Sequence, residues 1–174
     1  NYLAWVEKTG RRDYGPPYLW NNPIFQDISK RIEIMKNHHI DYSIITYSSN
    51  VVQIIDSVAD NGISRQAAMA DLNDKAQETV QKYAQWIGAT ALIDLRLGND
   101  ALIEMERTSD WATGYSVLTA YEIDGRLTFL DDPQFMPFWK KSAELKKPVF
   151  IHFGSLYKIN VKSHQMPGYM NDSM

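Results

Sequence analysis

The residues of this chain that could do chemistry are few, and the histidine closing the run Pro148-Val149-Phe150-Ile151-His152 stands apart from them. A short apolar run entered from a proline predicts a buried strand of a parallel sheet. Its polar residue falls at the strand's C-terminal end, where parallel α/β folds collect their reactive groups. Two readings of His152 stay open on the pattern alone. It is a core histidine hydrogen-bonded to its neighbours, or it is a metal-ligating or catalytic imidazole.

Other candidates have weaker local support. Tyr47 to Asn50 follows a predicted strand and would share a rim with His152, so Tyr47 and Asn50 are substrate-pocket candidates; a turn that opens the next helix is the alternative. Arg96 closes another predicted strand and could hold a substrate carboxylate with two parallel N–H donors, or lie on the surface. His38 and His39 are adjacent, hence about 100° apart on a helix, and suit a helix C-terminus better than a shared ion. His164 sits in a polar loop. Ser48, Ser49 and Ser155 have no recognisable base beside them. No HExxH, phosphate-binding loop, GxGxxG or GxSxG sequence is present. The absence of cysteine excludes disulfides and thiolate metal sites and fits a cytoplasmic location.

The elements that must position these residues follow from patterning. Hydrophobic residues make up 44% of the 174 and charged residues 22%, with a net charge of −3. The sequence pI is about 5.8. No basic patch marks a nucleic-acid partner, and no apolar stretch nears the roughly 20 residues of a membrane helix. Breakers such as Gly15-Pro16-Pro17 and Asn21-Asn22-Pro23 make residues 8–27 an aromatic-rich loop, packed on the surface or closing over a pocket. Ser29 is placed as the cap of a helix running to about His38, with Ile28, Ile32 and Met35 on one face. Strands are predicted at 41–48, 89–95, 114–120 and 148–152. Between them lie a helix carrying Val51, Ile54, Ile55 and Val58, a break at Gly62, and a short helical piece from Ser64. A clearer helix opens at Asn73 and stops at Gly88, and another opens at Asn99. The last begins at Asp132-Pro133 and carries Phe135, Phe138 and Trp139. Strand and helix alternate four times, which predicts a right-handed parallel α/β arrangement in a single domain, 1–174. The chain begins at Asn1 and ends in capping residues with no helix behind them, so both ends read as cut.

Three stretches together resemble the amidohydrolase-related family whose best-known branch is the aminocarboxymuconate-semialdehyde decarboxylases, with resorcylate decarboxylases as relatives. The first runs from Tyr14-Gly15-Pro16-Pro17 through Arg31-Ile32-Glu33-Ile34-Met35 to Ile40-Asp41-Tyr42-Ser43. The second runs from Asn73-Asp74 to Glu104-Met105-Glu106-Arg107. The third joins Leu130-Asp131-Asp132-Pro133-Gln134-Phe135 to Pro148-Val149-Phe150-Ile151-His152. The resemblance implies part of a (β/α)8 TIM barrel, about strands 2–5. It implies one divalent metal, zinc or alternatively manganese, at the C-terminal face. His152 matches the fifth-strand metal ligand. The first-strand His-x-His pair, the sixth-strand histidine and the final aspartate have no counterpart here. Arg96 stands where relatives usually carry proline, and His39 where they carry a helix-ending glycine. The implied activity is decarboxylation of a small unsaturated or aromatic carboxylic acid. Hydrolysis of an amide, lactone or ester is the alternative on the same fold, and a barrel fragment without activity is the alternative from another class. The implied partners are that small carboxylate and further copies of the chain in a homo-oligomer.

Overall fold

The structure, a computed structural model, describes residues 27–47 and 51–152. The aromatic-rich loop, Asn50, Ser48, Ser49, Ser155 and His164 lie outside the described residues.

Helix α1 (Ile28–Asn37) is capped by Asp27, whose carboxylate accepts the N–H groups of Ser29 at 2.9 Å and Lys30 at 3.4 Å. The cap expected at Ser29 falls upstream because a capping residue must be extended, as Asp27 is, and Ser29 is already helical. Ile32 and Met35 bury the predicted face against Ile87. The backbone at His39 is left-handed (φ 56°), the conformation a helix-ending glycine takes.

Strand β1 (Ser43–Ile45) is shorter than predicted. Helix α2 (Val51–Ala59) then leads through Gly62, at φ 89°, to helix α3 (Arg65–Lys82), capped by Ser64. The short piece and the separate Asn73 helix expected from sequence are one continuous helix. Asn73 sits in its middle, fully buried.

Strand β2 (Ile87–Leu92) is buried along its whole length. Gly88, expected to stop the preceding helix, lies inside this strand. Its role is space: a Cβ there would stand 2.7 Å from both the Tyr42 hydroxyl and Thr113 Oγ1.

A 3-10 turn (Leu95–Leu97), helix α4 (Asn99–Thr108) and strand β3 (Gly114–Leu118) follow. Next comes an antiparallel hairpin of β4 (Ala120–Ile123) and β5 (Arg126–Phe129), closed by Asp124 and Gly125 at φ 51° and 72°. The turn was legible as Asp-Gly, but its flanking strands were not, since four-residue strands carry little periodicity. Asp132 caps a 3-10 turn (Pro133–Phe135) that runs into helix α5 (Met136–Glu144), and strand β6 (Val149–His152) ends the described chain.

The main sheet has the order β1-β2-β3-β6, all parallel. Parallel strands placed side by side in chain order, with no reversal, form a singly wound sheet of the kind that curls into a barrel. Ala91, Ile93, Tyr115 and Val117 point to the helix layer, where they pack with Ala101, Met105, Phe135 and Phe138. Ser116, Phe150 and His152 therefore lie on the opposite face. Phe150 is 43% exposed there, and Ile44 on the other outer strand 47% exposed.

Because β1 pairs only as far as Ile45–Ala89, the outer edge of β2 at Leu92 has no strand partner among the described residues. Asn73 replaces it. Its side-chain carbonyl accepts the Leu92 N–H at 2.7 Å, and its amide donates to the Leu92 carbonyl at 3.0 Å and to Glu104 Oε1 at 2.7 Å. Glu104 is in turn held by Arg107 through two contacts of 2.7 Å. Asn73→Ala leaves a buried N–H, a buried carbonyl and a carboxylate short of partners. The expected loss is about 2–4 kcal/mol, read as a lower urea midpoint at unchanged m-value; a loss below about 0.5 kcal/mol would show that the clamp is dispensable.

Candidate functional site at the C-terminal rim

In a right-handed parallel β/α sheet each helix starts near the C-terminal end of the strand before it, so strand ends and helix starts share one rim. His152 closes β6 on this rim, opposite Leu118 of β3. Its carbonyl accepts the Thr119 N–H at 3.3 Å. Its partly buried ring lies 6.1 Å from the Phe150 ring. His38 and His39 sit at the end of α1, before β1, and hence at the opposite end of the sheet.

The end of β2 carries an ion-pair ladder that the sequence did not disclose. Asp94, fully buried, accepts the Arg96 backbone N–H at 3.1 Å and its side-chain Nε and Nη2 at 2.9 and 2.6 Å. The other edge of the guanidinium, through Nη1, reaches both oxygens of Asp56 on α2, at 2.9 and 3.1 Å. Arg65 adds its Nε to Asp56 at 3.0 Å.

Arg96 is thus not a surface side chain: 14% of it is exposed, and the protein's own carboxylates hold both edges of its fork. Burial disfavours the Arg96 cation, but bonds and charge from Asp94 and Asp56 outweigh it and raise its pKa. Burial likewise pushes the Asp56 carboxyl up, while Arg96 and Arg65 more than reverse this and hold it below the usual carboxylate range.

Tyr47 lies past the end of β1, but its hydroxyl donates to the Leu72 carbonyl of α3 at 2.6 Å. Burial, with the Glu104 and Asp71 carboxylates adding to it, raises its pKa and keeps the phenol protonated. The hydroxyl is engaged in packing, not aimed over the sheet. Tyr121 was not anticipated. It is 3% exposed, accepts the Leu118 N–H at 3.0 Å and donates to the Ile93 carbonyl at 3.1 Å, tying the ends of β2 and β3 together. The structure therefore brings Arg96 and His152 to one rim, with β3 between their strands, and turns Tyr47 to the helix layer. Asp94 had a local signal, an acidic residue two before Arg96 and near the end of a strand. Asp56 had none, being an acidic residue in an apolar helix 40 positions from its partner.

No family model matches the chain, and no curated protein matches it. Solved structures do. The 2,6-dihydroxybenzoate decarboxylase from Rhizobium matches with a TM-score of 0.64 and 23% identity, over 80% of this chain and 43% of that one. A dihydroxybenzoic acid decarboxylase from Polaromonas sp. JS666, with bound manganese and 2-nitroresorcinol, matches with a TM-score of 0.67 and 16% identity, over 94% and 49%. A putative amidohydrolase from Staphylococcus aureus matches with a TM-score of 0.62 and 19% identity, over 83% and 45%. The chain spans about half the length of these structures. Its parallel sheet and helices have the fold of about half of the TIM barrel found in these structures.

The ladder makes a pH-dependent contribution to stability. The folded Asp56 pKa is depressed, so its contribution is complete above the unfolded value of about 3.9 and is lost as pH falls through the lower folded value. Asp56→Asn should lower stability at pH 7 by about 1–2 kcal/mol and flatten this acid-side loss. Thermal unfolding from pH 7 to 2.5 reads both. Parallel curves for the two proteins would remove Asp56 from the account.

Proposed function

We propose that this chain carries one ligand position of a divalent-metal decarboxylase acting on a small aromatic or unsaturated carboxylic acid. The observation that carries the proposal is the position of His152. It is an imidazole at the C-terminal end of a parallel strand, in a sheet whose order matches barrels that include decarboxylases. A neutral imidazole has one ring nitrogen to give a metal, while the other donates a hydrogen bond that fixes the ring. Manganese in the Polaromonas enzyme supports a divalent ion, and zinc is the other candidate by chemistry.

The described residues do not complete such a centre. Among them no three His, Cys, Asp or Glu side chains stand close enough to hold an ion, and a catalytic zinc takes three protein ligands. No reaction step is therefore assigned through the metal. What these residues do is build the rim: Asp94 and Asp56 fix Arg96, Tyr121 ties two strand ends, and the β3–β6 ladder sets the height of His152. Arg96 enters this reading as a positioning residue. Among the described residues no helix is long and apolar enough to cross a membrane.

The same lack of neighbouring ligands favours a second reading, that the 174-residue chain is not an enzyme by itself. Metal retention separates the two. Loaded with manganese or zinc and desalted, the wild-type chain should keep the ion by elemental analysis, and His152→Ala should lose it. Equal retention would remove His152 as a ligand. Failure of both to retain metal would favour the non-enzymatic reading.

A further inference from the structure

At the opposite end of the sheet from His152, α1 and α3 finish beside the start of β2 and leave an open groove of about 430 Å³. Ser29, Ile32 and Lys36 of α1 form one side; Lys82, Tyr83 and Trp86 form the other. A volume of this size suits a small organic molecule. Among the described residues the lining contains no Asp or Glu.

Two ammonium groups converge on it. Lys36 Nζ stands 5.0 Å from the centre of the Trp86 ring, and Lys82 Nζ stands 5.2 Å from that of Tyr83. Stacking on aromatic faces restrains both long side chains. Neither forms an ion pair with a carboxylate among the described residues.

The bland role for a lysine in a last helical turn is to serve the unpaired carbonyls there. In α1 three of the last four are already taken, and in α3 the Thr79 carbonyl is. His38 N–H donates to Ile34 and Met35, His39 to Lys36, Ile40 to Met35 and Tyr83 to Thr79. The nearby Asp27 carboxylate is engaged in capping α1. Hydrogen bonds from Ser29 first and then Lys82 hold the Tyr83 pKa below its ordinary value. The Ser29 and Tyr83 hydroxyls bond to each other across the groove at 3.2 Å, which leaves one O–H donor between them.

We infer that this groove binds a small aryl carboxylate, its charge between Lys36 and Lys82 and its ring against Ile32, Tyr83 and Trp86. The site is separate from the C-terminal rim and does not depend on the metal reading.

The test uses 4-fluorobenzoate as a 19F NMR probe with the 174-residue chain, beside 4-fluorobenzamide and inorganic phosphate. The carboxylate should bind in preference to both controls, and binding should weaken with added salt. The double variant Lys36→Gln/Lys82→Gln removes two exposed charges, so it should melt as wild type does and bind the probe about tenfold more weakly. His152→Ala, with metal chelated, should bind it unchanged. Several outcomes would overturn the inference: no binding, equal binding of the amide, equal binding of phosphate, an unaffected double variant, or loss of binding in His152→Ala. The last would place the carboxylate at the rim instead and leave the proposed function standing.

Discussion

A parallel strand buried on both faces has no water to satisfy its backbone, so every N–H and C=O along it must find a partner in the protein. Strand β2 is under this constraint throughout. On one side β3 meets it and continues past its end, with the Ile93 N–H donating to Ser116. On the other side β1 stops early, and the Asn73 carboxamide stands in for a strand at Leu92. An amide is the one side chain that offers a donor and an acceptor in peptide geometry. This fixes the rotation and height of α3. Its contact with Glu104 extends the restraint to α4, and Arg107 returns it to α3 through Asp74.

The same strand sets the rim. Where β2 ends, the chain turns into Asp94-Leu95-Arg96, and a fully buried carboxylate there needs compensation. Arg96 supplies it and in doing so reaches Asp56, so α2 is fastened to the sheet by charge as well as by Val51, Val52 and Ile55 packing on Ala68, Met69 and Leu92. Arg65 completes an alternating series of two acids and two bases. A series of this kind is worth more for where it holds α2 than for net stability, because burying ions is costly even when they are paired. The two ends of the sheet thus differ in character. The C-terminal rim carries compensated charge and the His152 imidazole; the N-terminal end carries lysines stacked on aromatic rings that form no ion pair among the described residues.

Much of the fold was legible in local pattern. The alternation of strands and helices, the Asp132-Pro133 helix start and the faces of α1 and α5 all follow from near-neighbour rules. The misreadings share one cause. Asn73 read as a cap and Gly88 as a stop because Asn and Gly most often serve those ends. Here each answers to something distant in sequence, an unpaired strand edge in one case and the Tyr42 ring in the other. Arg96 read as a surface residue or a substrate clamp because neither its distant partner Asp56 nor the burial of Asp94 can be seen from the chain.

The sequence by itself determined the alternation of four parallel strands with helices, the parallel α/β class and the placing of His152 at a strand's C-terminal end, since these rest on periodicity and on punctuation by Gly, Pro and Asp. Tertiary structure alone decided which polar residues are engaged and which are available. A hydrogen bond or ion pair depends on atoms a few ångströms apart in space that lie tens of residues apart in the chain. It sent the Tyr47 hydroxyl to Leu72, closed the Arg96 fork on Asp94 and Asp56, and left the two ammoniums of Lys36 and Lys82 over one groove.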